Sequence, residues 1–207
     1  DTDQPDLTIA DSPLRFTEVG RQSGIDHTYY GSPSPQHYMT EQNGGGTALL
    51  DYDGDGTLDL FFVNGSHFER EAKEKGETNR LYAARGTLQY QDVTEATRLT
   101  AFGHGMGCAA GDYDNDGFVD LFVASYGRNR LWRNNGDGTF TDVSDASLIS
   151  SIIIEEENDY TFAPTFADID NDGDADLLVV ADNTASQVLL NDGDVGGGLT
   201  TFSYATE

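Results

Sequence analysis

Apolar residues fall in short runs closed by clusters of Gly, Asn and Asp, and one such pattern returns three times, at residues 48–63, 109–123 and 165–180. Each copy is a small apolar stretch, an acidic loop, and then a run such as Leu60-Phe61-Phe62-Val63, Leu121-Phe122-Val123 or Leu177-Leu178-Val179-Val180. Runs this short, rich in β-formers and bounded by turn residues, predict strands rather than helices. Downstream of each lies a second strand-like stretch: Asn79-Arg80-Leu81-Tyr82, Asn129-Arg130-Leu131-Trp132 and the segment from Ser186 to Asn191. A further element recurs four times, beginning at Phe16, Tyr90, Phe140 and Phe202, with spacings of 74, 50 and 62 residues. Asn135-Gly136-Asp137-Gly138 and Asn191-Asp192-Gly193 are hairpin signals, because these residues accept positive φ at little cost.

Several short strands per unit, with little helical period, predict an all-β chain of β-propeller blades, each of four antiparallel strands. The division expected is an N-terminal extension over 1–15 and three units over about 16–89, 90–139 and 140–207. The unequal spacings mark insertions. The run from His67 to Glu77 mixes both charges and predicts a solvated excursion with a helical turn or two. Ile152-Ile153-Ile154 predicts a covered strand guarded by Glu155, Glu156 and Glu157. Leu7-Thr8-Ile9-Ala10 could form a strand, one donated to a neighbour.

Charge changes the picture most. Against 11 basic residues stand 37 acidic ones, a net charge of −26 over 207 residues. That excludes binding to a phosphate backbone, which needs clustered Lys and Arg. Such acidity belongs either to a disordered solvating chain or to a folded one whose carboxylates hold cations. The 11% aromatic content and the 24 glycines at turn-like positions favour the folded case. No stretch approaches the ~18 apolar residues of a spanning helix, so no membrane span is expected. The segment Asp1 to Pro5 lacks the basic-then-apolar order of a secretion signal, so a secreted chain would already have lost one. The single Cys108 excludes an intrachain disulfide framework and reads as a buried thiol among small residues.

The acidic loops share the form Asp-x-Asp-x-Asp-Gly-x-x-Asp, and their acids are Asp51, Asp53, Asp55 and Asp59; Asp112, Asp114, Asp116 and Asp120; Asp168, Asp170, Asp172 and Asp176. Alternating positions of a tight loop converge, the Gly at position six permits the sharp turn, and position seven offers a backbone carbonyl, here from Thr57, Phe118 and Asp174. Ca²⁺ takes roughly 6–8 oxygen ligands in flexible geometry, so three calcium sites are expected. The absence of His and Cys ligands disfavours transition metals, and Mg²⁺ prefers a smaller, water-rich octahedral shell. An EF-hand would need an acid at position twelve, which here is Phe62, Val123 and Val179. Merely solvated acidic turns would not repeat the same spacing once per unit.

These loops, with Asn-Arg-Leu-Tyr/Trp, with Gly136-Asp137-Gly138-Thr139-Phe140-Thr141-Asp142-Val143 and with the leader from Glu41 to Ala48, resemble the FG-GAP/VCBS repeat family, particularly its cartilage-acidic-protein and UnbV-like branch. The resemblance runs from residue 16 to 207. It implies a propeller like the calcium-bearing blades of integrin α-subunits, outside the cytoplasm, used for adhesion or recognition. The family's calcium ligands carry over onto the Asp positions above. Propellers typically have about 4–8 blades, whereas three repeats are present, so the chain reads as a partial propeller, a fragment, or an arc completed by another chain.

The remaining residues point to no catalytic constellation. His27, His37, His67 and His104 show no metal-ligand spacing and are expected to serve packing or the surface. Tyr29, Tyr30, His37 and Tyr38 flank Gly31-Ser32-Pro33-Ser34-Pro35, an aromatic loop that either packs on a blade edge or contacts a sugar or partner. Asn64-Gly65-Ser66 is a glycosylation sequon. The expected function is therefore non-enzymatic: an extracellular calcium-stabilised module binding a protein or glycan, or a structural subunit that binds copies of itself in a surface assembly. Near-millimolar extracellular calcium fills sites of about 10⁻⁴–10⁻³ M affinity, which also favours secretion.

Overall fold

A computed structural model describes residues 15–35, 37–66, 78–100, 103–149, 160–182, 185–194 and 200–205. The strand expected near Leu7, the excursion from His67 to Glu77 and the isoleucine run at 152–154 lie outside the described residues. What is described is almost entirely β, with a 3-10 turn at Arg21–Ser23 and one helical turn, α1 (Met39–Gln42).

Among the described residues twelve strands form three four-stranded antiparallel meanders. The first sheet is β1 (Thr47–Leu50), β2 (Asp59–Phe62), β3 (Arg80–Gly86) and β4 (Gln89–Asp92). The second is β5 (His104–Gly111), β6 (Asp120–Tyr126), β7 (Arg130–Asn134) and β8 (Phe140–Asp142). The third is β9 (Tyr160–Ala167), β10 (Asp176–Asp182), β11 (Gln187–Asp194) and β12 (Thr200–Tyr204). Among the described residues one ladder pair, Tyr126 with Tyr160, joins the second and third sheets. The acidic loop is the connection between the first and second strands of every sheet. The described residues form three blades of an open, partial β-propeller.

Packing between faces explains the alternation. In β6, Leu121 and Val123 meet Phe61, Val63 and Leu81 of the first sheet, while Phe122 and Ala124 meet Leu177, Val179 and Leu189 of the third. A sheet covered on both faces needs apolar residues at every position, and β6 is buried from Asp120 to Ser125. The first strands approach closest. A Cβ on Gly107 would lie 1.8 Å from the Phe162 carbonyl oxygen, and one on Gly46 would lie 2.8 Å from the Cys108 nitrogen.

The recurring element that starts each sequence unit takes on a different part in the sheets. Gln89–Asp92 bonds to β3 and Phe140–Asp142 to β7, so each is the outer strand of the sheet that precedes it in the chain. A turn follows each: Thr97 N donates to Val93 O at 3.0 Å and Ser147 N to Val143 O at 2.8 Å. The N-terminal copy makes the same turn, with Ser23 N on Val19 O at 2.9 Å, yet residues 15–19 form no strand and Phe16 is 97% exposed. Its counterparts Phe140 and Phe202 are 2% and 1% exposed.

Candidate metal centres

Each loop is built by its own carboxylates. Asp51 accepts the N–H groups of Asp55 (3.0 Å) and Gly56 (2.9 Å), closing the turn in which Gly54 and Gly56 hold φ of 71° and 83°. Asp112 binds Asp116 N and Gly117 N in the same way, and Asp168 binds Asp172 N and Gly173 N. The acid at position nine opens the second strand and is buried in every sheet: Asp59 is 1% exposed, Asp120 and Asp176 0%.

Position nine is held from both sides. Asp120 accepts Tyr113 N at 3.1 Å on one oxygen and Asn134 N at 2.7 Å on the other. Asp59 is held by Tyr52 N and Ala84 N, and Asp176 by Ile169 N and Asn191 N. In each loop the acids at positions one, three and nine bring a carboxylate oxygen within 4.8 Å of one another: Asp51, Asp53 and Asp59; Asp112, Asp114 and Asp120; Asp168, Asp170 and Asp176. Position five is turned aside. One oxygen of Asp55, Asp116 and Asp172 accepts the N–H of Thr57 (2.8 Å), Phe118 (2.9 Å) and Asp174 (2.9 Å). These three Asp-rich groups could hold metal ions.

Electrostatics agrees with a need for positive charge. Burial, with the charges of Asp114 and Asp116 adding to it, pushes the Asp120 carboxyl up to about 8 despite its two N–H donors. Asp59 and Asp114 are raised as well, each mainly by burial and then by neighbouring acids. Oxygen-only donors, acidic and gathered at fixed positions, fit a hard divalent cation. Arg85 lies 3.8 Å from Asp53, too exposed a pair to neutralise the first loop.

Sequence reasoning missed two residues that organise these loops, Asn134 and Asn191. They lie on the third strands of their sheets and are 0% and 4% exposed. Asn134 donates through Nδ2 to Tyr52 O of the first loop at 2.9 Å and to Val119 O of its own loop at 3.2 Å. Asn191 repeats this on Tyr113 O at 2.7 Å and Ala175 O at 3.1 Å. The recurring signal was an Asn on the third strand directly before Asn135-Gly136 or Asp192-Gly193, where the first sheet has Ala84.

Elsewhere the expected roles are mostly structural. Asn64 is 2% exposed, and its side chain accepts Tyr30 N at 2.8 Å and Gly65 N at 2.9 Å, so the folded sequon presents no accessible amide. His104 is buried, its Nδ1 2.8 Å from Ser66 O and Nε2 3.1 Å from Thr40 O, tying the N-terminal segment to the sheets. His27 stacks on Phe62 with ring centroids 4.9 Å apart. Tyr29 and Tyr30 are half-buried and, with Asp26, His27, Asn64 and Arg80, line a cleft of about 250 Å³, while Tyr38 is exposed. Cys108 is only partly buried, and that partial burial pushes its thiol up to about 12. Iodoacetamide at pH 8 is therefore expected to alkylate the native protein far more slowly than the denatured chain; mass spectrometry showing equal rates would refute the raised thiol.

No helix among the described residues is long and apolar enough to cross a membrane. A family model for the FG-GAP-like repeat matches residues 51–123 and again 112–179, each match spanning two acidic loops. Cartilage acidic protein 1 of Xenopus tropicalis is 27% identical over 143 residues, which is 66% of this chain and 21% of that protein. The chain thus spans about a fifth of the length of that curated relative. A lectin of Agrocybe aegerita, described as recognising non-reducing terminal N-acetylglucosamine, aligns over 76% of this chain and 36% of its own at 21% identity and a TM-score of 0.34, too low to support any statement about ligand. The repeated loop, the strand that follows it and the double match agree: the chain belongs to the FG-GAP-like repeat family.

Proposed function

We propose that this chain is an extracellular, calcium-stabilised propeller arc that recognises a protein or glycan, with no enzymatic role. The observation that carries the calcium reading is the gathering of three carboxylates in each loop, one of them a buried acid. Calcium would be held by Asp51, Asp53, Asp55 and Asp59, by Asp112, Asp114, Asp116 and Asp120, and by Asp168, Asp170, Asp172 and Asp176, with the carbonyls of Thr57, Phe118 and Asp174 completing the sets. Asp55, Asp116 and Asp172 would contribute the oxygen not engaged with the turn. Because the loops join strands rather than open onto a cavity, calcium there stiffens the blades, and recognition falls to other surfaces. The cleft beside Tyr29 and Tyr30 is the candidate for a glycan. Isothermal titration should find three calcium ions per chain; fewer than one would end this reading.

A second reading, a subunit of an assembly, is favoured by the outer face of the third sheet. Tyr52, Val63, Leu81 and Val93 of the first sheet are buried by the second, and Tyr113, Ala124, Leu131 and Val143 of the second by the third; all eight are at most 9% exposed. Their register equivalents on the third sheet are Ile169, Val180, Val188 and Ala205. The first three are 41%, 49% and 37% exposed, and Ala205 is exposed too. An apolar face at the next step of a repeating interface is a surface built to be covered. Light scattering in calcium should show concentration-dependent association that Val180→Glu abolishes; a monomer up to about 100 μM would count against self-assembly and leave a different partner.

A further inference from the structure

The three loops are joined by one unbroken line of hydrogen bonds. Asp59 accepts Tyr52 N at 3.1 Å; Tyr52 O accepts Asn134 Nδ2 at 2.9 Å; Asn134 N donates to Asp120 at 2.7 Å. The line continues from Asp120 to Tyr113 N at 3.1 Å, from Tyr113 O to Asn191 Nδ2 at 2.7 Å, and from Asn191 N to Asp176 at 2.8 Å. Every link is buried, and both asparagine amides are engaged at both ends, since each Oδ1 also accepts the N–H of Gly136 or Gly193 at 3.0 Å. Ala84 begins the line: its N–H holds Asp59, and it has no amide with which to reach further.

We infer that Asn134 and Asn191 are positioning residues that couple the calcium sites of neighbouring sheets, so that filling one loop raises the affinity of the next. This rests on the calcium reading above. A cation in the second loop fixes Asp120 and, through it, the Tyr113 peptide. The Tyr113 carbonyl is then held where Asn191 needs it, and the Asn191 N–H already holds Asp176 in place for the third loop. Ordering that one ion has produced need not be produced again by the next. By linkage the effect is reciprocal.

The coupling is unequal along the row. Asn115, at position four of the second loop, donates to Asp174 Oδ1 at 2.7 Å and Gly173 O at 3.3 Å, a surface link from the second loop to the third. The first loop has Gly54 at that position, with no side chain to reach across. Loops two and three are therefore coupled through both Asn191 and Asn115, loops one and two through Asn134 alone.

The test uses the full chain with Asp53→Asn, which disables the first loop and leaves two sites for calcium titration. The second ion should bind about fivefold tighter than statistics allow, within the usual range of such couplings. Asn191→Ala should return the two constants to their statistical ratio, and Asn115→Gly, which copies the first loop and suits its φ of 56°, should lower the ratio in part. If Asn191→Ala fails to fold, Asn115→Gly decides alone. Two ions binding at the statistical ratio in the parent, or a ratio untouched by either variant, overturns the coupling and leaves the calcium sites standing. No calcium binding at all overturns the calcium reading itself.

Discussion

Chelating calcium is expected to lower the melting temperature by about 20 °C. With calcium at a hundred times the dissociation constant, each site that binds only the folded chain adds about 2.7 kcal/mol. Three such sites amount to about 8 kcal/mol, within the range of the whole stability of an ordinary domain, about 5–15 kcal/mol. For a chain of this length each kcal/mol moves the midpoint by about 2–4 °C. The cause is local and electrostatic: acids at positions one, three and nine face each other within 4.8 Å, and without a cation their repulsion and the burial of Asp59, Asp120 and Asp176 act against folding. Calorimetry in EGTA and in millimolar calcium measures the difference, and magnesium in place of calcium should restore only part of it. Midpoints that agree within about 2 °C would sink the idea that calcium holds the blades together.

How much of this was legible follows from the range of each interaction. The loops were readable because their turns are local: the hydrogen bonds of the acids at positions one and five, and one of the two on position nine, join residues no more than seven apart, and the Asp spacing states them directly. The four-strand meander was readable because strand alternation is also local. The part played by Tyr90 and Phe140 was not. A recurring element announces a period but not where the sheet begins, and only the pairing with β3 and β7 shows that these strands finish a blade. Asn134 and Asn191 lay further from view still. Each reaches back about 80 residues, 82 to Tyr52 and 78 to Tyr113, and an Asn before Asn-Gly or Asp-Gly reads first as part of a turn. Position five shows the converse limit. Alternation suggested that Asp55 points inward with its neighbours, but a short acid two residues before a free N–H also caps it, and the Thr57 N–H takes that oxygen.

Asp120 should make the two metal states respond to pH in opposite directions. Its carboxyl sits at about 8 in the folded chain against an ordinary value of 3.8. Between those values the folded chain keeps a proton that the unfolded chain releases, so stability falls as pH rises from about 4 to 8. At about 1.4 kcal/mol per unit, the loss in EGTA is on the order of 5 kcal/mol. In saturating calcium the sign reverses, because the ligand must give up its proton for the ion to bind, and affinity grows across the same window. Other acids add to the slope in EGTA, so the substitution Asp120→Asn isolates this one. An amide carries no charge to bury, but its NH₂ must face either Tyr113 N–H or Asn134 N–H, at a cost of about 1–3 kcal/mol. In EGTA the variant should thus be less stable than the parent near pH 4 and more stable near pH 8, while in calcium at pH 8 it should be the weaker of the two. Urea titrations at both pH values, with and without calcium, read all four cases. A variant that stays below the parent in EGTA at pH 8 would show that Asp120 carries its charge there without cost, and that the cation is needed for something other than neutralising it.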